Sequence, residues 1–172
     1  MKNILVSVDF EKQAGHLVDR ATELAKKFGS KIWLIHIAAP DPDFVGYDVG
    51  PQNVRDVRAN ELKDERRMLE KYSQQLKEKG IEAEGMLIEG PTVAMILRMV
   101  DKLNIDLVII GHHKRNYFYK AFAGNTDISL INQLNIPVLT VPLKNGYSTD
   151  PLLEPVHIAT VNKITSMIRS EV

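Results

Sequence analysis

The residues richest in chemistry lie between Gly111 and Thr126, where the chain reads GHHKRNYFYKAFAGNT. Two imidazoles, an ammonium and a guanidinium follow one glycine, at His112, His113, Lys114 and Arg115. Such groups donate hydrogen bonds to anions, and the Lys and Arg charges persist at neutral pH. The stretch ends in Gly124, Asn125 and Thr126, just ahead of an apolar helical pattern. A helix N-terminus offers unpaired backbone N–H groups and the positive end of the helix dipole, so it suits a phosphate or another anion. Gly124 would let the backbone approach such a ligand, while the Asn125 amide and Thr126 hydroxyl add polar contacts. The same residues also read as a capped helix after a surface loop, with Asn125 as the cap.

Other chemistries find less support. Neighbouring side chains of an extended chain point to opposite sides, so His112 and His113 are not expected to share one metal ion. Cysteine is absent, which removes thiolate ligands, disulfides and cysteine nucleophiles and fits a reducing compartment. There is no G-x-S-x-G nucleophile elbow. Asp9 closes the first apolar run and reads as a turn residue or a helix-entry cap. No catalytic residue is expected, and no metal.

These residues need a scaffold, and the hydrophobic pattern supplies one. Ile4, Leu5, Val6 and Val8 form a short apolar run, read as a buried strand. Ala14, Leu17, Val18, Ala21, Leu24, Ala25 and Phe28 share one helical face, and Gly29 stops that helix. A second strand covers Ile32 to Ala38, in which Trp33 and His36 read as packing residues. Ala39 to Gln52, rich in Pro, Gly and Asp, reads as a long loop that could serve as a lid or contact surface. A helix from Val54 to Lys79 follows, with Ala59, Leu62, Leu69, Tyr72 and Leu76 as its stripe and its charges read as solvated surface. A third strand spans Ala83 to Ile88, and Gly90–Pro91 opens a helix that buries Val93, Ile96, Leu97, Val100 and Leu103. Leu107 to Ile110 is the most apolar strand and is expected to be central, with Gly111 to Gly124 a loop. Ile128, Ile131 and Leu134 mark a short helix, and Val138 to Val141, between Pro137 and Pro142, an edge strand. Alternating strands and helices predict an α/β fold: an open five-stranded parallel sheet, Rossmann-like, with helices on both faces. Ligands of such sheets sit beyond the carboxyl ends of the strands, where strand order reverses.

Composition bounds the function. The 172 residues carry 22 basic and 22 acidic side chains, so net charge is zero and nucleic acid or an anionic membrane is not an expected partner. No run approaches the roughly 20 apolar residues of a membrane span, and the N-terminus lacks a signal-peptide core. Residues 145–154 read as a linker, and residues 155–170 as an amphipathic helix carrying Val161, Ile164 and Ile168. That helix is expected to pack on the domain, residues 1–144, or on a partner subunit.

Residues 1–144 resemble the universal stress protein family. The first strand ending in Asp9, the IHIA of the second strand and the IPVLTVP of the fifth are similar to its sequences. The family's nucleotide motif is G-x2-G-x9-G-[ST]; here Gly111 and Gly124 stand at its first and last glycines. Lys114 occupies the middle glycine position and Asn125 the Ser/Thr position, with Thr126 one residue later. The resemblance implies an adenine nucleotide alpha hydrolase-like fold and a cytoplasmic stress-response regulator that binds ATP or AMP, with or without Mg²⁺. It implies nucleotide contacts from Asp9 near the adenine or ribose and from the backbone of Ile37 at the adenine. Gly111, His113, Lys114, Gly124, Asn125 and Thr126 would lie at the phosphates. A lysine at the middle position costs backbone fit if that position takes φ > 0, yet brings an ammonium to the phosphates. The Gly-His-His opening is similar to the universal stress protein A branch, whose members lack the full motif and are generally regarded as not binding ATP. The alternative is therefore a nucleotide-free dimeric stress protein acting through protein contacts. The first loop, SVDFEK, lacks the phosphate loop of related pyrophosphatase-type enzymes and the H-x-G-H of nucleotidyltransferases; any ATP hydrolysis would be slow and incidental. The resemblance also implies a homodimer formed through Val138–Val141 and a protein partner that the residues do not identify.

Overall fold

The structure, a computed structural model, describes residues 1–10, 14–38, 52–113 and 126–143. Its elements, in chain order, are β1 (Asn3–Ser7), α1 (Ala14–Phe28), β2 (Lys31–Ala38), α2 (Gln52–Glu78) and β3 (Ala83–Glu89). There follow α3 (Thr92–Lys102), β4 (Leu107–His113), α4 (Thr126–Gln133) and β5 (Val138–Leu143). The long Ala39–Gln52 loop, all but its last residue, and the segment beyond Lys144 with Val161, Ile164 and Ile168 fall outside the described residues.

All five strands are parallel, in the order β3-β2-β1-β4-β5. The expected open α/β sheet is therefore present, with one change: β1 lies at its centre and β4 beside it. Ile4, Leu5 and Val6 are fully buried, so β1 faces protein on both surfaces as well as on both edges. One apolar layer joins Ile4, Val6, Ile32, Leu34 and Ile109 to α1 and α2. The other joins Leu5, Ile35, Val108 and Ile110 to α3 and α4. The period of two along each strand thus feeds both faces.

Strand starts are tied together at the amino edge. The Asp106 carboxylate accepts the N–H groups of Lys2 and Asn3, and the Asp106 N–H returns to the Asn3 carbonyl. These backbone donors hold the Asp106 carboxyl below its ordinary pKa. Trp33 packs on the α3–α4 layer, as expected, and its indole N–H donates to Asn3 Oδ1.

At the sheet's β5 edge, Val108 N–H donates to the Pro137 carbonyl, and Val108 is in register with Val138. In this parallel register the odd-numbered residues of β5 bond to β4, and the even-numbered ones face outward. Pro142, inside the strand rather than beyond it, therefore has its missing N–H on the open side, where it interrupts no rung.

Three apolar stripes are narrower than their spacing predicts. Phe28, at the last turn of α1, is 57% exposed, and Ile131 on α4 is 50% exposed. Ala59 on α2 is also exposed, and burial along that helix begins in earnest at Leu69. At about 1.5 Å per residue α2 is about 40 Å long, against roughly 23 Å for a seven-residue strand. The helix overshoots the sheet, so its first half cannot all be covered by it.

Where α2 does meet the sheet, Gly85 of β3 makes the approach possible. A Cβ there would lie 2.9 Å from Leu69 Cβ and 3.0 Å from the Leu69 carbonyl oxygen. That obstacle is helix backbone and cannot rotate away. Gly85→Ala should destabilise the protein by about 1–3 kcal/mol, lowering the melting temperature by roughly 2–12 °C for a chain this size. Thermal unfolding followed by circular dichroism measures it.

Candidate functional site at the carboxyl edge

Strand order reverses at β1: the chain leaves β1 for β2 on one side and later returns to β4 on the other. In open parallel sheets the carboxyl side of the strands at such a reversal is where ligands bind. Asp9 follows the end of β1, half-buried. Gly111 and the backbone of His113 lie in the last three residues of β4, and Ile37 is the penultimate residue of β2. Thr126 is the first residue of α4. Four of the expected contact positions thus come to one edge on three adjacent strands, with Thr126 opening the helix that precedes β5. Lys114, Gly124 and Asn125 fall outside the described residues.

Gly111 to His113 were expected in a loop, but β4 continues through them. Gly111, His112 and His113 are in register with Val141, Pro142 and Leu143. The reason for a glycine at 111 is packing. A Cβ would lie 2.5 Å from Leu143 Cδ1 and 3.2 Å from its Cγ, with Leu17 of α1 at 3.5 Å. Leu143 fills the space a side chain would need.

Ile37 matters through its backbone. In β2, Lys31 N–H donates to the Lys2 carbonyl and Ile35 accepts Val8 N–H, so odd-numbered residues face β1. Ile32 N–H and the Ala38 carbonyl pair on the β3 side, so even-numbered residues face β3. The ladder toward β1 runs in register only to Ser7↔Ile35. Ile37 N–H and C=O therefore point into the gap beyond the end of β1. The Ile37 side chain belongs to the α3–α4 apolar layer.

His36, expected only to pack, does more. Its Nδ1 lies 2.8 Å from the Val8 carbonyl, and its Nε2 lies 3.5 Å from Glu65 Oε1 on α2. A carbonyl can only accept, so Nδ1 carries a hydrogen and donates. A carboxylate also only accepts, so a neutral imidazole would turn a lone pair toward Glu65. Burial opposes charging the ring, but the Glu65 carboxylate, the Val8 carbonyl and the charge of Asp9 outweigh it and raise the His36 pKa above its usual value. Glu65 Oε2 is buried with no hydrogen-bond partner among the described residues. Phe10, the residue after Asp9, packs on the His36 ring at 5.0 Å and stacks on Tyr72 of α2 at 6.1 Å.

Sequence reasoning missed Glu65 by treating the charges of α2 as solvated. The signal was present: Glu65 precedes Leu69 by four and Tyr72 by seven residues, so it shares their buried face.

Among the described residues no cluster of three or more His, Cys, Asp or Glu could hold a metal ion. No described helix is long and apolar enough to cross a membrane.

The profile of the universal stress protein family matches residues 1–142. The chain belongs to the universal stress protein family. Universal stress protein A of Yersinia pestis is 29% identical over 147 residues, covering 84% of this chain and 93% of that one. Among solved structures, a universal stress family protein from Burkholderia pseudomallei superposes with a TM-score of 0.61 at 22% identity, covering 82% of this chain and 96% of that one. The universal stress protein of Archaeoglobus fulgidus in complex with dAMP superposes with a TM-score of 0.53 at 18% identity, covering 84% and 98%. At these identities the structures establish the common fold.

The His36–Glu65 contact makes stability depend on pH. His36 has a raised folded pKa, so its contribution is complete below about pH 6.5, the ordinary histidine value, and is lost as pH rises through the folded value. Melting temperatures of wild type and Glu65→Gln measured from pH 5.5 to 8.5 should differ most at the acidic end and converge at the alkaline end. Parallel curves would show that the pair is not titrating.

Proposed function

We propose that this chain is a cytoplasmic regulatory protein that binds an adenine nucleotide, ATP or AMP, at the carboxyl edge of its sheet. It acts as a homodimer, and any ATP hydrolysis is slow and incidental to that role. The observation that carries the reading is the Ile37 N–H and C=O pair facing the gap beyond β1. Adenine offers a ring acceptor beside an amino donor on its Watson–Crick edge, and a backbone N–H and C=O turned the same way complement the two. A carboxylate at Asp9, one strand over, suits ribose hydroxyls, which donate to it. Phosphates would then extend toward the start of α4, where Gly124, Asn125 and Thr126 precede or begin a helix and the dipole favours anions. His113 ends β4 and Lys114 follows it in the chain, with Gly111 two residues before His113, so donors there would meet the same phosphates; Mg²⁺ would share the charge if ATP carries it. The dAMP complex of the Archaeoglobus fulgidus relative supports an adenine ligand on this fold.

A second reading has one observation in its favour. A Cβ at Gly111 would meet Leu143 and Leu17, so packing gives the first glycine of the motif a role that needs no nucleotide. On that reading the chain is a nucleotide-free dimeric stress protein acting through protein contacts.

The dimer would form along β5. Its outer edge is open among the described residues, Leu139 is 38% exposed, and Val138 and Thr140 direct their backbone groups outward. A short edge strand pairs with its own copy about a two-fold axis. Residues 145–172 lie next in the chain, and Val161, Ile164 and Ile168 would cover this domain or its partner.

Titration calorimetry of ATP, with and without Mg²⁺, against nucleotide-stripped wild type and Lys114→Gly separates the readings. Micromolar binding to wild type supports the nucleotide reading. Binding to Lys114→Gly alone favours the nucleotide-free one, and binding to neither removes the adenine site. Light scattering at micromolar concentration should give a dimer for wild type and a monomer for Thr140→Pro, which removes an outward donor and leaves the β4 rungs intact. A monomeric wild type would overturn the β5 interface.

A further inference from the structure

The β1–β2 ladder stops one rung before it needs to. After Val8 N–H donates to the Ile35 carbonyl at 2.9 Å, the next rung of a parallel pair would run from Ile37 N–H to the Val8 carbonyl. That carbonyl is instead held by His36 Nδ1 at 2.8 Å. The imidazole sits 13% exposed between Val8 and α2, and Glu65 holds its far nitrogen. Phe10 packs on the same ring. Asp9 therefore lies between two residues that both rest on His36.

From this geometry we propose that His36 is a positioning residue: by occupying the Val8 carbonyl it keeps the Ile37 N–H and C=O open for an adenine edge, and it fixes the turn that presents Asp9. Glu65 holds the ring in place from α2. The proposal rests on the adenine-nucleotide reading for its purpose but not for its physics. The open rung and the held turn are properties of the free protein.

Among the described residues, few charged and titratable groups surround the ring. Glu65 faces it from α2, Asp9 from the turn after β1, and Tyr72 of α2 reaches it through Phe10. On the β3 side His36 is in register with Leu87, between Met86 and Ile88. Loss of the second ring proton would free Nε2 from Glu65 while Nδ1 still donates to Val8. The ladder should thus stay open across neutral pH, with the ring less firmly held at the alkaline end.

Amide hydrogen exchange of the full chain, followed by NMR, tests the open rung directly. In wild type the Ile37 amide should exchange at least roughly tenfold faster than the Ile35 amide, whose residue is paired on β1. In His36→Phe the rung can close onto Val8, and Ile37 exchange should slow at least roughly tenfold. His36→Asn places an amide donor near the Nδ1 position and should restore fast exchange. A wild-type Ile37 amide as protected as Ile35, or one unchanged in His36→Phe, overturns the proposal. If His36→Phe does not fold, His36→Leu, which likewise lacks a donor, takes its place with the same expected slowing. Calorimetry with ATP forms the second arm. Affinity should fall at least roughly fivefold in His36→Phe and recover in His36→Asn; equal affinity in all three proteins also overturns the proposal. If wild type binds no adenine nucleotide, the adenine reading fails, while the exchange arm still judges the role of His36.

Discussion

Strand β1 is the element on which every other one leans. Ile4, Leu5 and Val6 have no exposed surface, and the strand is hydrogen-bonded on both edges. A strand in that position feeds one residue into the α1–α2 layer and the next into the α3–α4 layer, so both cores are anchored on five residues. Because β1 is also short, its neighbours outrun it: β2 continues past its last rung to Ala38, and β4 to His113. The unpaired strand ends at the carboxyl edge follow from that length difference. Central burial and early termination of one strand create both the core and the unpaired ends above it.

The polar groups at that edge follow from the same termination. A strand that stops inside a sheet leaves carbonyls and N–H groups that need partners or water. Val8 finds His36, and His36 finds Glu65 on a helix long enough to pass the level of the strand ends. Ile37 is left facing the gap.

Much of this was legible in the sequence. The alternation of short apolar runs with helical stripes gave strand and helix placement, and the parallel sheet with helices on both faces followed from element order. Gly29 ends α1 with φ at 64°, as a left-handed stop should. The failures share a cause. Ile131, Phe28 and Ala59 sit at helical spacing, but spacing cannot say which part of a stripe the sheet covers, and all three are exposed, Ile131 beside the fully buried Leu130. The strand character of Gly111 to His113 was hidden because two histidines look like loop residues until β5 is seen to run beside them.

By itself the chain determined its fold class, its family and the candidate positions at the strand ends. Those depend on local periodicity and on motif residues near one another in sequence. Only the tertiary structure decided that Gly111 and Gly85 are glycines for the sake of Leu143 and Leu69, since each contact joins elements far apart along the chain. It alone brought Glu65 to His36 and His36 to Val8. Hydrogen bonds between a helix and two strands leave no periodicity to read. They join groups far apart in sequence and satisfy a carbonyl at the end of the β1–β2 ladder.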